Sequence, residues 1–552
     1  MALETDVDTL ALLGKTQVLK RRFGFWSLFA FAICELITWE TVLALFSEPL
    51  ENGGPAGAIY GFLIAWLSTL SVYACIAELA SMAPIACGQY YWVAMLAPPG
   101  YKKAFSYVIG WLTSLAWIAT VAIESMFAGQ MLQGLLVLNY ASYMPQRWHS
   151  TLLAWAVLVV NVAINVFIPG WLPRFEIGIM AVHIAGFVAV LATLLSTADM
   201  GSAASVWTTV RNGGGWPTQG LSFCVGFLGN VATFVGADAS VHMAEEVSNA
   251  AVNIPRAICA AMIVNGLIGF AMMVTTLYSL GDVDSVLDTK TGFPFLQIFL
   301  NATGSAGPAI GLGVVVLVVT WACALGITTT SSRMTWAFAR DHGTPFSGVL
   351  SRVSRRTRVP VVALVTVAGF AGLLAVIYIG SSTAFNDVIS LTITGFYGSY
   401  LAPCGFLLWR RLKGEIAPHG SLEELEPETT EKTAVEGEEK GVEPVAGAVL
   451  DVLAHRRLVW GPWRLPGWFG TLNNVYACTY MVFVIFWSVW PPATPVKPDT
   501  MNYSIVVTGG IMILSGVWYW VRARKVYHGP IVEEGVQRVV LEARRRSSVG
   551  RA

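Results

Sequence analysis

The chain has 552 residues, 55% of them hydrophobic and only 12% charged, against about a quarter charged in soluble domains. That composition excludes an ordinary soluble globule and makes lipid the expected solvent. Its 34 basic and 34 acidic residues cancel, which argues against a nucleic-acid partner, since that would want a basic excess. The eight cysteines include no CxxC pair, so neither a disulfide framework nor a metal site is expected.

Residues 1–24 have no basic stretch leading into an apolar core and a small-residue cleavage site. They are read as a cytoplasmic tail, with insertion left to the first span. About twenty apolar residues cross a bilayer. By that measure the spans are 25–46, 57–78, 106–136, 150–170, 176–197, 220–241, 257–280, 307–330, 359–380, 386–409, 470–490 and 503–521. The expected fold class is an all-α integral membrane protein with about twelve transmembrane helices. With the N-terminus inside, all but four of the 34 Lys and Arg fall on the cytoplasmic side; the four are Arg147, Arg211, Lys290 and Lys497. This asymmetry supports an even number of spans with both ends cytoplasmic.

The remaining segments follow from the spans. A first five-helix repeat is expected over 25–197 and a second over 198–409. An acidic loop covers 410–465, two further helices 466–521, and a basic tail 522–552. The loop contains "SLEELEPETTEKTAVEGEEKGVEP", nearly free of aromatics and read as a solvated connector. The tail "LEARRRSSVGRA" could touch anionic lipid or simply reinforce orientation. Asn301-Ala302-Thr303 is a glycosylation sequon in an expected outer loop.

Ionisable side chains within spans are costly unless paired or hydrated, so they are candidates for function. Glu35 and Glu40 fall in span one, Glu124 in span three, His183 in span five, and Asp238 and His242 in span six. If the chain is an inverted repeat, spans one and six each open a half and are broken near mid-membrane, where freed backbone groups bind substrate. Gly229 and Gly236 suit a break in span six. Span one has no glycine between Phe25 and Gly53, so its break is expected around Cys34–Thr38. The candidate substrate-binding residues are therefore Cys34, Glu35, Thr38, Phe234, Gly236 and Asp238. A carboxylate at Glu35 or Asp238 would attract an ammonium, with Phe31 and Trp39 as candidate cation–π partners. The alternative reading makes Glu35 a structural carboxyl and Asp238 a helix cap. Glu124 is the candidate carrier of a coupling proton. Glu40 is expected to reach water or another helix, and the histidines to be structural.

Five stretches bring a family into view. They are "ELASMAPIACGQYYWVAMLAPP" (78–99), "FVGADASVHMAEEVSNAAVNIPRAI" (234–258), "SSRMTWAFARDHGTPFS" (331–347), "GPWRLPGWFGTLNNVYA" (461–477) and "PDTMNYSIVV" (498–507). In order, they resemble segments of fungal permeases of the amino acid–polyamine–organocation superfamily, in the subgroup of GABA and choline permeases. The third resembles the loop after span eight. The resemblance implies a LeuT-type fold of two inverted five-span repeats plus two helices, and alternating access, usually proton-coupled. It also implies a glycine-rich break in span one that holds a substrate carboxylate. This chain reads Ile33-Cys34-Glu35-Leu36-Ile37-Thr38 there, a departure that favours a substrate dominated by positive charge. Cys87 stands where the subgroup usually has Gly, at a packing position.

Glu78, Arg333 and Arg340 fall on the same side and are expected to pair when a cytoplasmic gate shuts, with Glu245 and Glu246 as alternative partners. The expected function is secondary transport of a small amine or amino acid (choline, GABA, amino acid or polyamine class) across the plasma membrane. No cofactor is expected beyond the proton. Export or vacuolar movement of a nitrogenous metabolite, and nutrient sensing, are the alternatives. An enzyme is not expected: no HExxH, GxSxG or P-loop occurs.

Overall fold

A computed structural model describes residues 6, 9–10, 13–419, 458–498 and 500–531. Most of the acidic loop (420–457) and of the basic tail (532–552) lies outside the described residues. Among the described residues, eleven helical segments are long and apolar enough to cross a bilayer. The remaining expected crossing, span six, is interrupted: Gln219–Ala232 is followed by a non-helical turn and then by Ala239–His242. With no water in a bilayer core, only continuous helices keep lipid-facing backbone satisfied. An interrupted helix must therefore lie inside the bundle, and all of Phe234–Val247 except Val235 is buried.

Span one is broken too. Helix Phe25–Leu36 and helix Thr38–Leu45 meet at Ile37, whose φ of 33° is left-handed. That conformation is unfavourable for a β-branched residue, so surrounding contacts must hold it. They are visible: Asn265 Nδ2 donates to the Ile33 carbonyl at 3.2 Å, Thr38 Oγ1 donates to the Thr233 carbonyl at 3.2 Å, and Cys323 Sγ lies 3.5 Å from the Glu35 carbonyl. In span six the break uses Gly236 at φ +116°, where a Cβ would come within 3.3 Å of the Glu35 carbonyl. The two breaks thus face each other. Gly229 has a different job: a Cβ there would meet Pro49 Cδ at 2.7 Å, so it allows close packing and does not mark the break.

Several segments differ from the sequence expectation. Span eight runs Ala306–Arg340, so the stretch 331–340 read as the start of a loop is helix. Span three lengthens to Lys102–Asn139 and span two to Gly54–Met82. Asn301 is exposed, on the short helix Pro294–Thr303 within the connection between spans seven and eight. The N-terminal tail is not a free appendage over its described part. Lys15 is buried in an ion pair with Asp341, and Phe23 N–H donates to the Glu246 carbonyl at 3.0 Å.

Candidate functional site

Beside the breaks lies a cavity of about 40 Å³, room for a few water molecules at roughly 10–15 Å³ each. Its walls come from spans one, three, six, eight and ten. Span one contributes Glu35, Ile37 and Thr41; span three contributes Thr120, Glu124 and Phe127. Val235 enters from the span-six turn, Ile327 from span eight, and Thr392 from span ten. A substrate larger than a few water molecules needs these walls to part.

Glu35 dominates the cavity chemically. It is 2% exposed, and neither carboxylate oxygen has a hydrogen-bond partner. Its position depends on Gly326 of span eight, where any Cβ would overlap Glu35 Oε1. Across the cavity, Glu124 is half-buried and its Oε2 is also unpartnered. No Lys, Arg or His is among the lining residues. The three threonine hydroxyls donate to carbonyls of their own helices: Thr41 to Ile37, Thr120 to Ala116 and Thr392 to Val388.

The other candidates lie elsewhere. Asp238 does not face the cavity: it accepts from Gln89 Nε2 at 2.7 Å and from the Tyr400 hydroxyl, and it lies 3.6 Å from His242 Nε2. Its side chain makes no cap hydrogen bond, so it is neither an open ammonium ligand nor a helix cap. It links span six to the helix Gln89–Leu96 and to span ten. The amides freed at Gly236 and Ala237 both donate to the Tyr73 hydroxyl, at 3.1 and 3.2 Å, and so are not offered to substrate. Phe234 packs on Phe62 at 4.9 Å, Cys34 Sγ lies against the Glu176 carbonyl at 3.8 Å, and Thr38 holds the break. Of the six binding candidates, only Glu35 lines the cavity.

Trp39 turns to span five, against His183 and Phe187, and the aromatic lining the cavity is Phe127. Glu40 Oε1 lies 2.8 Å from His183 Nδ1, in hydrogen-bond contact, both fully buried. Sequence reasoning missed Glu176, a fully buried carboxylate with both oxygens unpartnered, within electrostatic reach of Glu35. The signal was its place at the first residue of the expected span five, where a charge reads as a flank.

Glu78 does not meet Arg333 or Arg340, which pair instead with the alternative partners Glu246 and Glu245. Glu78 accepts from Arg411 Nη2 at 2.5 Å and from Leu465 N–H at 2.8 Å, joining span two to the end of span ten and the approach to span eleven. Arg333 Nε instead donates to Glu246 at 2.9 Å, and Arg340 grips Glu245 with two bonds of 2.7 and 3.2 Å. These pairs tie span eight to the segment after span six. Beside them Asp341 gathers Lys15, the Tyr90 hydroxyl at 2.8 Å, Ile531 N–H at 2.9 Å and Cys87 Sγ at 3.5 Å. Burial, reinforced by Asp341, pushes the Cys87 thiol up to about 12, so it stays protonated and unreactive.

A sequence profile described as amino acid permease matches residues 23–511. The chain belongs to the amino acid permease family. It is similar to a Macrophomina phaseolina protein named, by inference, an amino acid/polyamine transporter: 31% identical over 86% of this chain and 96% of the relative. It is also similar to the choline transporter of Saccharomyces cerevisiae, 27% identical over 92% of this chain and 83% of the relative. The GABA-specific permease of the same yeast is 27% identical over 95% of this chain and 86% of the relative. The permease is thus a multi-pass membrane transporter, and its cavity lies between the broken first helices of its two halves.

Proposed function

We propose that this permease carries a small cationic amine, without need of a substrate carboxylate, across the plasma membrane by proton-coupled alternating access. The observation that carries the reading is Glu35: a buried carboxylate, both oxygens unpartnered, at a cavity with no positive lining residue. An isolated charge in such surroundings is costly until it is neutralised, and an ammonium supplies that neutralisation. A substrate carboxylate would find only negative charge, apolar walls and hydroxyls already donating elsewhere. The choline and GABA relatives are equally identical to the chain, so similarity does not choose between them, whereas the cavity favours the choline-like class.

Glu124 is the proton carrier in this reading. Arg333–Glu246 and Arg340–Glu245 form the cytoplasmic gate, and Glu78–Arg411 braces the scaffold. A competition series tests the substrate class. Unlabelled cationic amines should inhibit labelled choline uptake, while GABA and zwitterionic amino acids should not. Equal inhibition by zwitterions would refute it.

A further inference from the structure

The second carboxylate of the cavity supports an inference that rests on the amine reading and goes past it. Glu35 from span one and Glu124 from span three line one space, and the Glu124 charge is felt at Glu35. The Cys323 thiol of span eight donates to the Glu35 carbonyl at 3.5 Å and lies within electrostatic reach of both carboxylates, and Glu176 of span five, outside the cavity, acts on Glu35 more strongly than Glu124 does. Spans six and ten contribute no titratable group to the lining. One bound ammonium leaves one carboxylate uncompensated in a low-dielectric interior, which penalises moving the loaded site.

We propose that the site is complementary to two positive charges, so that a monoamine travels with a proton on Glu124 whereas a linear diamine travels alone. For a monoamine, the ammonium sits at Glu35; a proton from the outer water binds a Glu124 carboxylate oxygen and leaves on the inner side. For a diamine, the second ammonium occupies Glu124 and no proton is taken up. Either load neutralises both of the carboxylates that line the cavity. The proton is then a co-substrate for monoamines and a competitor for diamines, so the two classes respond to external pH with opposite sign.

Three labelled probes test this on the full chain with the membrane potential clamped: choline, putrescine (a four-carbon diamine) and N-acetylputrescine, its singly charged analogue. Going from neutral to acid external pH, uptake of choline and N-acetylputrescine should rise several-fold. Uptake of putrescine should stay level or fall. Glu124→Gln should abolish the pH response of the monoamines and sharply reduce putrescine uptake. Putrescine uptake rising in parallel with N-acetylputrescine would overturn the inference. So would putrescine that neither enters nor competes, although choline uptake would then leave the amine reading standing. If choline itself were not carried, both would fall. The comparison of probes in the unaltered protein does not depend on the variant folding.

Discussion

Glu35 and Asp238 are both acidic residues beside a broken helix, yet their surroundings give them different work. Asp238 has its oxygens engaged by Gln89 and Tyr400, while Glu35 has none engaged. Asp238→Asn puts an amide donor against two donors, at a cost of about 1–3 kcal/mol for a buried group left unsatisfied. It should lower the apparent unfolding temperature of the purified protein while leaving the KM for substrate nearly unchanged. Gly326→Ala should act the other way. Its methyl displaces the Glu35 carboxylate, so amine uptake should fall about tenfold or more, given roughly 1.5–3 kcal/mol for a contact to a charged group. Gly311→Ala on the same span, where a Cβ meets nothing within 4 Å, is the control and should transport normally. The sequence could nominate the carboxylates because charge in an apolar run is conspicuous. It could not sort them, because Gln89, Tyr400 and Gly326 come from segments far away in the chain.

The two broken helices are the elements on which the site depends. Their positions were legible for opposite reasons. In span six the glycine at 236 supplies a backbone angle that side chains rarely adopt. In span one the break lies at Ile37, within the expected Cys34–Thr38 stretch, and is enforced by tertiary contacts despite an unfavourable residue. Gly236→Ala should therefore destabilise, by about 1–2 kcal/mol for a left-handed residue with a Cβ, read as a drop of a few degrees in unfolding temperature. Ion pairs between elements were less legible. The charges placed Glu78, Arg333 and Arg340 on one side, but helix rotation and the long reach of Arg411 decide the partners. Breaking a buried pair costs about 3–5 kcal/mol when one charge is left alone. Glu78→Arg should therefore sharply reduce surface expression, with partial rescue by Arg411→Glu and none by Arg333→Glu. Rescue by the latter would restore the pairing that the structure corrects.

At the scale of the whole molecule, the hydrophobic runs sufficed to give the spans because a bilayer leaves the backbone few options. Interior helices were harder to bound. Span eight continues as a helix to Arg340 past its apolar stretch, since its inner turns are buried by protein and not by lipid. The N-terminal segment reads as a tail because it precedes the first apolar span and lacks a leader pattern, yet Lys15 and Phe23 anchor it to Asp341 and Glu246. Such packing depends on partners more than two hundred residues away. It also places three ion pairs, the buried Lys15–Asp341 and Arg333–Glu246 and the partly buried Arg340–Glu245, on the side that the Lys and Arg distribution assigns to the cytoplasm.

The central claim is that Glu35 receives the positive charge of the substrate. The most direct measurement is saturable uptake of labelled choline and labelled GABA by the unaltered permease and by Glu35→Gln, at matched surface levels. The account predicts choline uptake that falls about tenfold or more in the variant, by the same 1.5–3 kcal/mol for a charged contact, and no GABA uptake by either protein. GABA uptake by the unaltered permease, or choline uptake that survives the loss of the Glu35 charge, would contradict it.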